Sequence, residues 1–197
     1  MYVMTIDQIG SRTRGDRVPE LLAGLAGIPV LAPFERSVGD EVQGVPDGPE
    51  SVLRVLIAVL RDGGWHCGLG AGAGELGVGD PPSARGGRGA AFLRAREAVE
   101  ASKGEAVSLS VRDGGSIDAR DLEALLHVFG VLASRRTPTQ WGVIDAYEQA
   151  GSGTAAARAL DITPQAVSQS LASSAWREES AAHPLALRLI AALGATS

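Results

Sequence analysis

The chain has a single cysteine, Cys67, among its 197 residues. An internal disulfide is therefore excluded, and one thiol does not make a zinc site. Cys67 reads as a small buried side chain. Aromatic residues are only 4% of the sequence, so the core has to be built from Ala, Leu and Val. The histidines His66, His127 and His183 lie far apart, without partners at metal-ligand spacing. No serine sits in a Gly-x-Ser-x-Gly elbow. No apolar run reaches the roughly 18 residues of a membrane span. The first residues lack the charged, apolar and small-residue order of a secretory leader, and a cytoplasmic protein with no membrane partner is expected. A positive excess is missing too: the net charge is −5 and the pI about 5.2. That balance weighs against strong electrostatic binding of a polyanion.

What the chain does have is glycine, at 26 residues, and a regular succession of elements. Tyr2–Ile6 reads as a strand ending at the acid Asp7. A short helix follows around Pro19–Leu25. Val30–Phe34 and Glu41–Val45 read as strands flanking the hairpin tip Val38-Gly39-Asp40. Pro33 weakens the first of them, because proline cannot donate to a ladder. Glu50–Asp62 carries Val52, Leu53, Leu56, Val59 and Leu60 at helical spacing. Trp65–Gly72 reads as a glycine-rich strand and Gly77–Gly89 as a mobile loop. Ala90–Lys103 is expected to be a helix, Ala106–Arg112 an alternating strand, and Asp118–Ser134 a long helix. This order describes an α+β fold, an antiparallel-containing sheet with helices on one face. From Pro138 on only helices are expected, at 138–150, 154–160, 164–174 and 177–194. The expected domains are residues 1–135, including the connecting helix 118–134, and residues 136–197.

The most directive stretch is Gly153-Thr-Ala-Ala-Ala-Arg-Ala-Leu-Asp-Ile-Thr-Pro-Gln-Ala-Val-Ser-Gln-Ser-Leu171. It reads as two short helices around a tight turn. Thr154–Leu160 is Ala-rich, and Ala157 is small where a neighbouring helix must come close. Asp161 tolerates the left-handed turn, Ile162 is expected to bury beneath the corner, Thr163 is a good N-cap, and Pro164 suits the first helical position. Val167 and Leu171 share the inward face. Gln165, Ser168, Gln169 and Ser173 are left outside. Such side chains can reach base edges in a major groove, where Gln bonds adenine in two places. From Thr137 onward, Arg158, Arg177 and Arg188 face Asp145, Glu148, Asp161, Glu178 and Glu179, with Arg135 and Arg136 just upstream softening the deficit. An Ala-rich hairpin that only packs is the other reading of the same pattern.

The first part resembles the palm-like, ferredoxin-like catalytic domain of class III nucleotide cyclases and the related GGDEF domains. The resemblance rests on Asp7 at the end of the first strand, on the hairpin Val38-Gly39-Asp40-Glu41-Val42-Gln43-Gly44, and on the glycine-rich Cys67–Gly74. In cyclases the corresponding acids hold two divalent metals against a triphosphate. The resemblance thus implies Asp7, Asp40 and Glu41 as oxygen ligands for Mg²⁺ with a nucleotide. The cyclase helix carries an Asn and an Arg where this chain has Leu93 and Glu97, so cyclase chemistry is not expected. A plain hairpin turn at Gly39-Asp40 remains open. Taken whole, the chain resembles the SatD family through Asp7-Gln8-Ile9-Gly10-Ser11-Arg12, Gly39-Asp40-Glu41-Val42-Gln43-Gly44 and the Val167-Ser168-Gln169 corner. That family is of uncertain biochemical function, so the resemblance implies architecture more than activity: a cyclase-like sheet followed by a helix-turn-helix.

Gly72-x-Gly74-x-x-Gly77 matches a dinucleotide fingerprint formally, but Asp80-Pro81-Pro82 cannot open the helix that motif needs. Arg85, Arg88, Arg94 and Arg96 form a basic patch suited to a nucleotide phosphate or DNA, or to a solvated face. The function expected first is a dimeric DNA-binding regulator, with Thr163, Gln165, Ser168 and Gln169 at the DNA. Its first domain would sense a small ligand such as a nucleotide, or serve as a dimerisation platform. The alternative is a metal-dependent nucleotide-binding protein or enzyme using Asp7 and Asp40, with the helical tail docking a partner.

Overall fold

Short apolar strands with small residues between them build the first part of the chain. The computed structural model describes residues 1–195. In order, its elements are β1 (Tyr2–Gln8), α1 (Ser11–Arg14), α2 (Val18–Leu25), β2 (Val30–Arg36), β3 (Glu41–Pro46), α3 (Pro49–Asp62), β4 (Trp65–Ala71), β5 (Glu75–Gly77), β6 (Ser83–Arg88), α4 (Ala90–Ser102), β7 (Leu109–Arg112), α5 (Ile117–Arg135), α6 (Pro138–Ala150), α7 (Gly153–Leu160), α8 (Pro164–Ser173) and α9 (Trp176–Ala195). The fold is α+β: a mixed sheet of five strands with helices, followed by a helical C-terminal part. The chain divides into two compact units. One is Met1–Gly130 with the described residues from Leu185 on; the other is Val131–Pro184. The sequence boundary expected between Ser134 and Pro138 ends the long helix α5, whereas this division falls within α5 and again within α9.

In the first unit the sheet order is β2-β3-β1-β4-β7. The first four strands pair antiparallel, and β7 joins β4 in parallel. Pro33 lies in β2, an outermost strand whose pairing shifts register on both sides of Ala32. That is where a residue without an N–H is tolerated.

Helices on one face only were expected, and the sheet corrects this. The register sets Val3 opposite Gly70 and Thr5 opposite Gly68. On this face a Cβ at Gly68 would fall 2.2 Å from Val99 N, and one at Gly70 2.2 Å from Ala95 N, so α4 lies directly on the backbone of β4. The opposite face carries Met4, Ile6, Cys67 and Leu69, all 0% exposed, and needs cover of its own. Helix α3, with Val52, Val55, Leu56 and Val59 buried, contacts β3 and β4. Both sides of the central strands are apolar or small, so alternation does not mark a solvent face. Burial pushes the Cys67 thiol up to about 12, which keeps it uncharged.

The expected mobile loop at Gly77–Gly89 is instead the β5–β6 hairpin. Gly77 and Gly86 pass with their backbones in close approach. Ala84 is fully buried beside Val3, Val45 and Phe92, and Leu76 packs on the same cluster. Ser83 Oγ donates to Glu35. The expected strand from Ala106 begins only at Leu109.

Strand β7 is outermost, yet its free side is occupied. Val111 N–H donates to Glu123 Oε2 at 2.7 Å, and the Leu109 carbonyl accepts from His127 Nε2 at 2.9 Å, both side chains on α5. The Val111 carbonyl accepts from Arg112, and Leu109 N–H donates back to Val107.

In the second unit, Val143, Ile144, Ala156, Ala157, Val167 and Leu171 form one cluster with Trp141, Tyr147 and Trp176 around it. The Tyr147 and Trp176 rings meet edge-on at 5.0 Å. Beside it is a buried ion pair, Arg136 Nη2 to Glu179 Oε2 at 2.8 Å. Arg136 Nε also donates to the Ser174 carbonyl, and its guanidinium lies over Trp141 at 4.8 Å.

Candidate nucleic-acid interface

Each end of the helices that form this surface is fixed locally. Thr137 Oγ1 accepts from Gln140 N–H, while Gln140 Oε1 accepts from Thr137 N–H, a capping box that starts α6. Ser152 caps α7 through Ala155 N–H. Asp161 ends α7 at φ 54 and ψ 44, the left-handed conformation expected of it. Thr163 Oγ1 accepts from Ala166 N–H at 3.1 Å and opens α8, with Pro164 following.

The two faces of α8 differ sharply. Val167 and Leu171 are 0% and 1% exposed. Gln165, Ser168 and Gln169 are exposed, and none of them makes a side-chain hydrogen bond or ion pair among the described residues. Thr163 is exposed as well, but its hydroxyl is held by the cap. Ser173 accepts from Gln140 Nε2 at 3.1 Å, which ties the end of α8 to the start of α6. Gln140 was not singled out in the sequence; the Thr-x-x-Gln spacing at its helix start is the signal that finds it.

Two expectations at this surface are corrected. Ile162 does not bury beneath the corner but is 39% exposed. Left-handed Asp161 turns the chain, and Ala156 and Ala157 fill the space inside. Arg136 does not soften the surface charge, because it is buried against Glu179. Among the arginines of this unit, Arg135, Arg158 and Arg177 are exposed.

The acids of the first unit are distributed differently. Asp7 lies opposite Glu41 on one side and His66 on the other. Asp40 follows Gly39, at φ 62, in the hairpin tip. Asp7 Oδ2 is 3.1 Å from Lys103 Nζ, which also meets Glu100 at 2.7 Å. Glu41 accepts a hydrogen bond from Ser37 Oγ. Burial holds the His66 imidazole below its ordinary value, and its Nδ1 is buried without a hydrogen-bond partner among the described residues. An ammonium beside Asp7 competes with a metal ion for that carboxylate. Among the described residues no group of three or more His, Cys, Asp or Glu is arranged to hold a metal ion. Asp7 and Glu41 are neighbours across the β1–β3 ladder, with Asp40 next in the chain, but they form no such three-carboxylate group.

No described helix is long and apolar enough to cross a membrane. Comparison with protein-family models, with curated proteins and with solved structures found no match.

Proposed function

We propose that this chain is a DNA-binding regulator that reads bases with Gln165, Ser168 and Gln169 of α8, steadied at the backbone by Thr163. The observation that carries this reading is the contrast between the faces of α8. Its back is locked into the core by Val167 and Leu171, while its front offers two glutamines and a serine without side-chain partners among the described residues. A helix held this way loses little further freedom when it enters a groove. The α7–turn–α8 pair then acts as a helix-turn-helix.

In this reading the protein works as a homodimer, with two copies of α8 about one DNA turn apart. The first unit is its sensory or dimerisation platform. The strand order β2-β3-β1-β4, antiparallel throughout, supports the finer reading of that unit as a ferredoxin-like, palm-type sheet, as in the SatD resemblance. A ligand that favours one dimer arrangement shifts DNA affinity by its differential binding energy.

The test is electrophoretic retardation of a DNA fragment from upstream of the protein's own gene, at low salt. Retardation by the full chain is expected, with loss of about tenfold or more in affinity for Gln165→Ala combined with Gln169→Ala, since one good bidentate contact discriminates by about 1–3 kcal/mol. Absence of retardation, or a double variant that binds equally well, overturns the proposal.

A further inference from the structure

The β5–β6 hairpin, the first turns of α4 and the middle of β3 line a half-open cavity of about 460 Å³. Arg85 and Arg88 of β6 and Arg96 of α4 stand on its wall, and no Asp or Glu lines it. In a chain of net charge −5, this is a local reversal of sign. Arg85 and Arg96 make no side-chain hydrogen bond or ion pair among the described residues. Arg88 reaches Glu75, but those side chains are 80% and 68% exposed, so water screens the pair and it yields easily.

The remaining wall is equally specific. Gln43 is a buried polar residue, 8% exposed. Its Nε2 donates to Thr5 Oγ1 at 3.2 Å, and its amide oxygen accepts no hydrogen bond among the described residues. Gly87 lies on the ring of Phe92, where a Cβ would come within 2.0 Å of the ring; the lining there is bare backbone over an aromatic side chain. Leu93, 66% exposed, forms an apolar ledge on the rim. The first turn of α4 has no side-chain cap, and its partial positive charge adds to that of the arginines.

We propose that this cavity binds an organic phosphate ester of about nucleotide size, with the phosphate groups held by Arg85, Arg88 and Arg96 and a ligand hydroxyl or amino group donating to Gln43. Guanidinium forks match phosphate oxygens in pairs. The volume lies within the roughly 300–1,000 Å³ of small-molecule sites. The Leu93 ledge gives the organic part a place that inorganic phosphate does not use. This deepens the sensory half of the proposed function, but the binding itself does not depend on α8 or on DNA.

Calorimetry and thermal melting of the full chain without DNA test it, with ATP, ribose 5-phosphate and inorganic pyrophosphate as probes. At least one of the two esters is expected to bind more tightly than pyrophosphate. Arg85→Ala combined with Arg96→Ala should raise its Kd by about tenfold or more, while Arg54→Ala, exposed on α3, leaves it unchanged. The substituted arginines are exposed, and unliganded melting midpoints equal to the parent's confirm that the variants fold. No binding of either ester, pyrophosphate binding as tight as theirs, or undiminished binding by the double variant overturns the proposal. Because no DNA is present, failure here leaves the retardation assay untouched, and the converse holds.

Discussion

Gly68 decides how near α4 comes to the sheet. A Cβ there would lie 2.2 Å from Val99 N and 2.5 Å from the Ala95 carbonyl oxygen, both main-chain atoms that cannot swing aside. Gly68→Ala is therefore expected to cost about 3 kcal/mol or more. Gly142, inside α6, has nothing within 4 Å of a built Cβ. Gly142→Ala should stabilise by about 0.5–1 kcal/mol, from helix propensity and a less free unfolded chain. Urea denaturation of the two variants reads both; opposite signs are expected, and a shared sign refutes the packing argument. At this scale the sequence is legible where physics is local. Left-handed Asp161 and the Thr163 cap follow from neighbours one to three residues away. The positions of Ile162 and Arg136 do not, because each depends on what another helix puts beside it. Nothing near Arg136 in sequence announces Glu179.

Between elements, α5 is joined to β7 by polar groups. Burial of Glu123 works to raise its pKa, but hydrogen bonds from Ser110 Oγ and Val111 N–H, with Arg112 alongside, outweigh it and hold the carboxyl below its ordinary value. A carboxylate whose folded pKa is depressed contributes stability above its unfolded pKa and loses it as pH falls through the folded one. Glu123→Gln should therefore be less stable than the parent at neutral pH, and the gap should close below the ordinary glutamate range. Denaturant midpoints measured from neutral pH down to about pH 3 check this; a gap that is constant with pH refutes it. Elements with strong periodicity, such as α3 and α5, are readable in the sequence. The β5–β6 hairpin is not. Its apolar content toward the core is Leu76 and Ala84, and its Gly, Pro, Arg and Ser are also the composition of a loop. The arginines of the cavity wall could be counted in the sequence as a basic patch, but their convergence with Gln43 depends on that hairpin folding.

For the molecule as a whole, charge sets the terms of any contact with nucleic acid. The second unit has four arginines against five carboxylates, and Arg136 is buried. Three exposed arginines remain to meet phosphates, Arg135, Arg158 and Arg177. Each neutralised phosphate contributes about −0.9 to the slope of log affinity against log salt. The slope should be no steeper than about −3 per monomer, read from retardation over a salt series. A steeper value means that cations of the first unit also reach the DNA. Pairing of copies, which the proposed regulator needs, is constrained by the five-stranded sheet itself. Along one rim, β2 carries Pro33, which has no N–H to offer; along the other, the main-chain groups of Leu109 and Val111 are already taken. A neighbouring molecule finds no free ladder along the β7 rim. A filament grown by strand addition along that rim is thereby disfavoured.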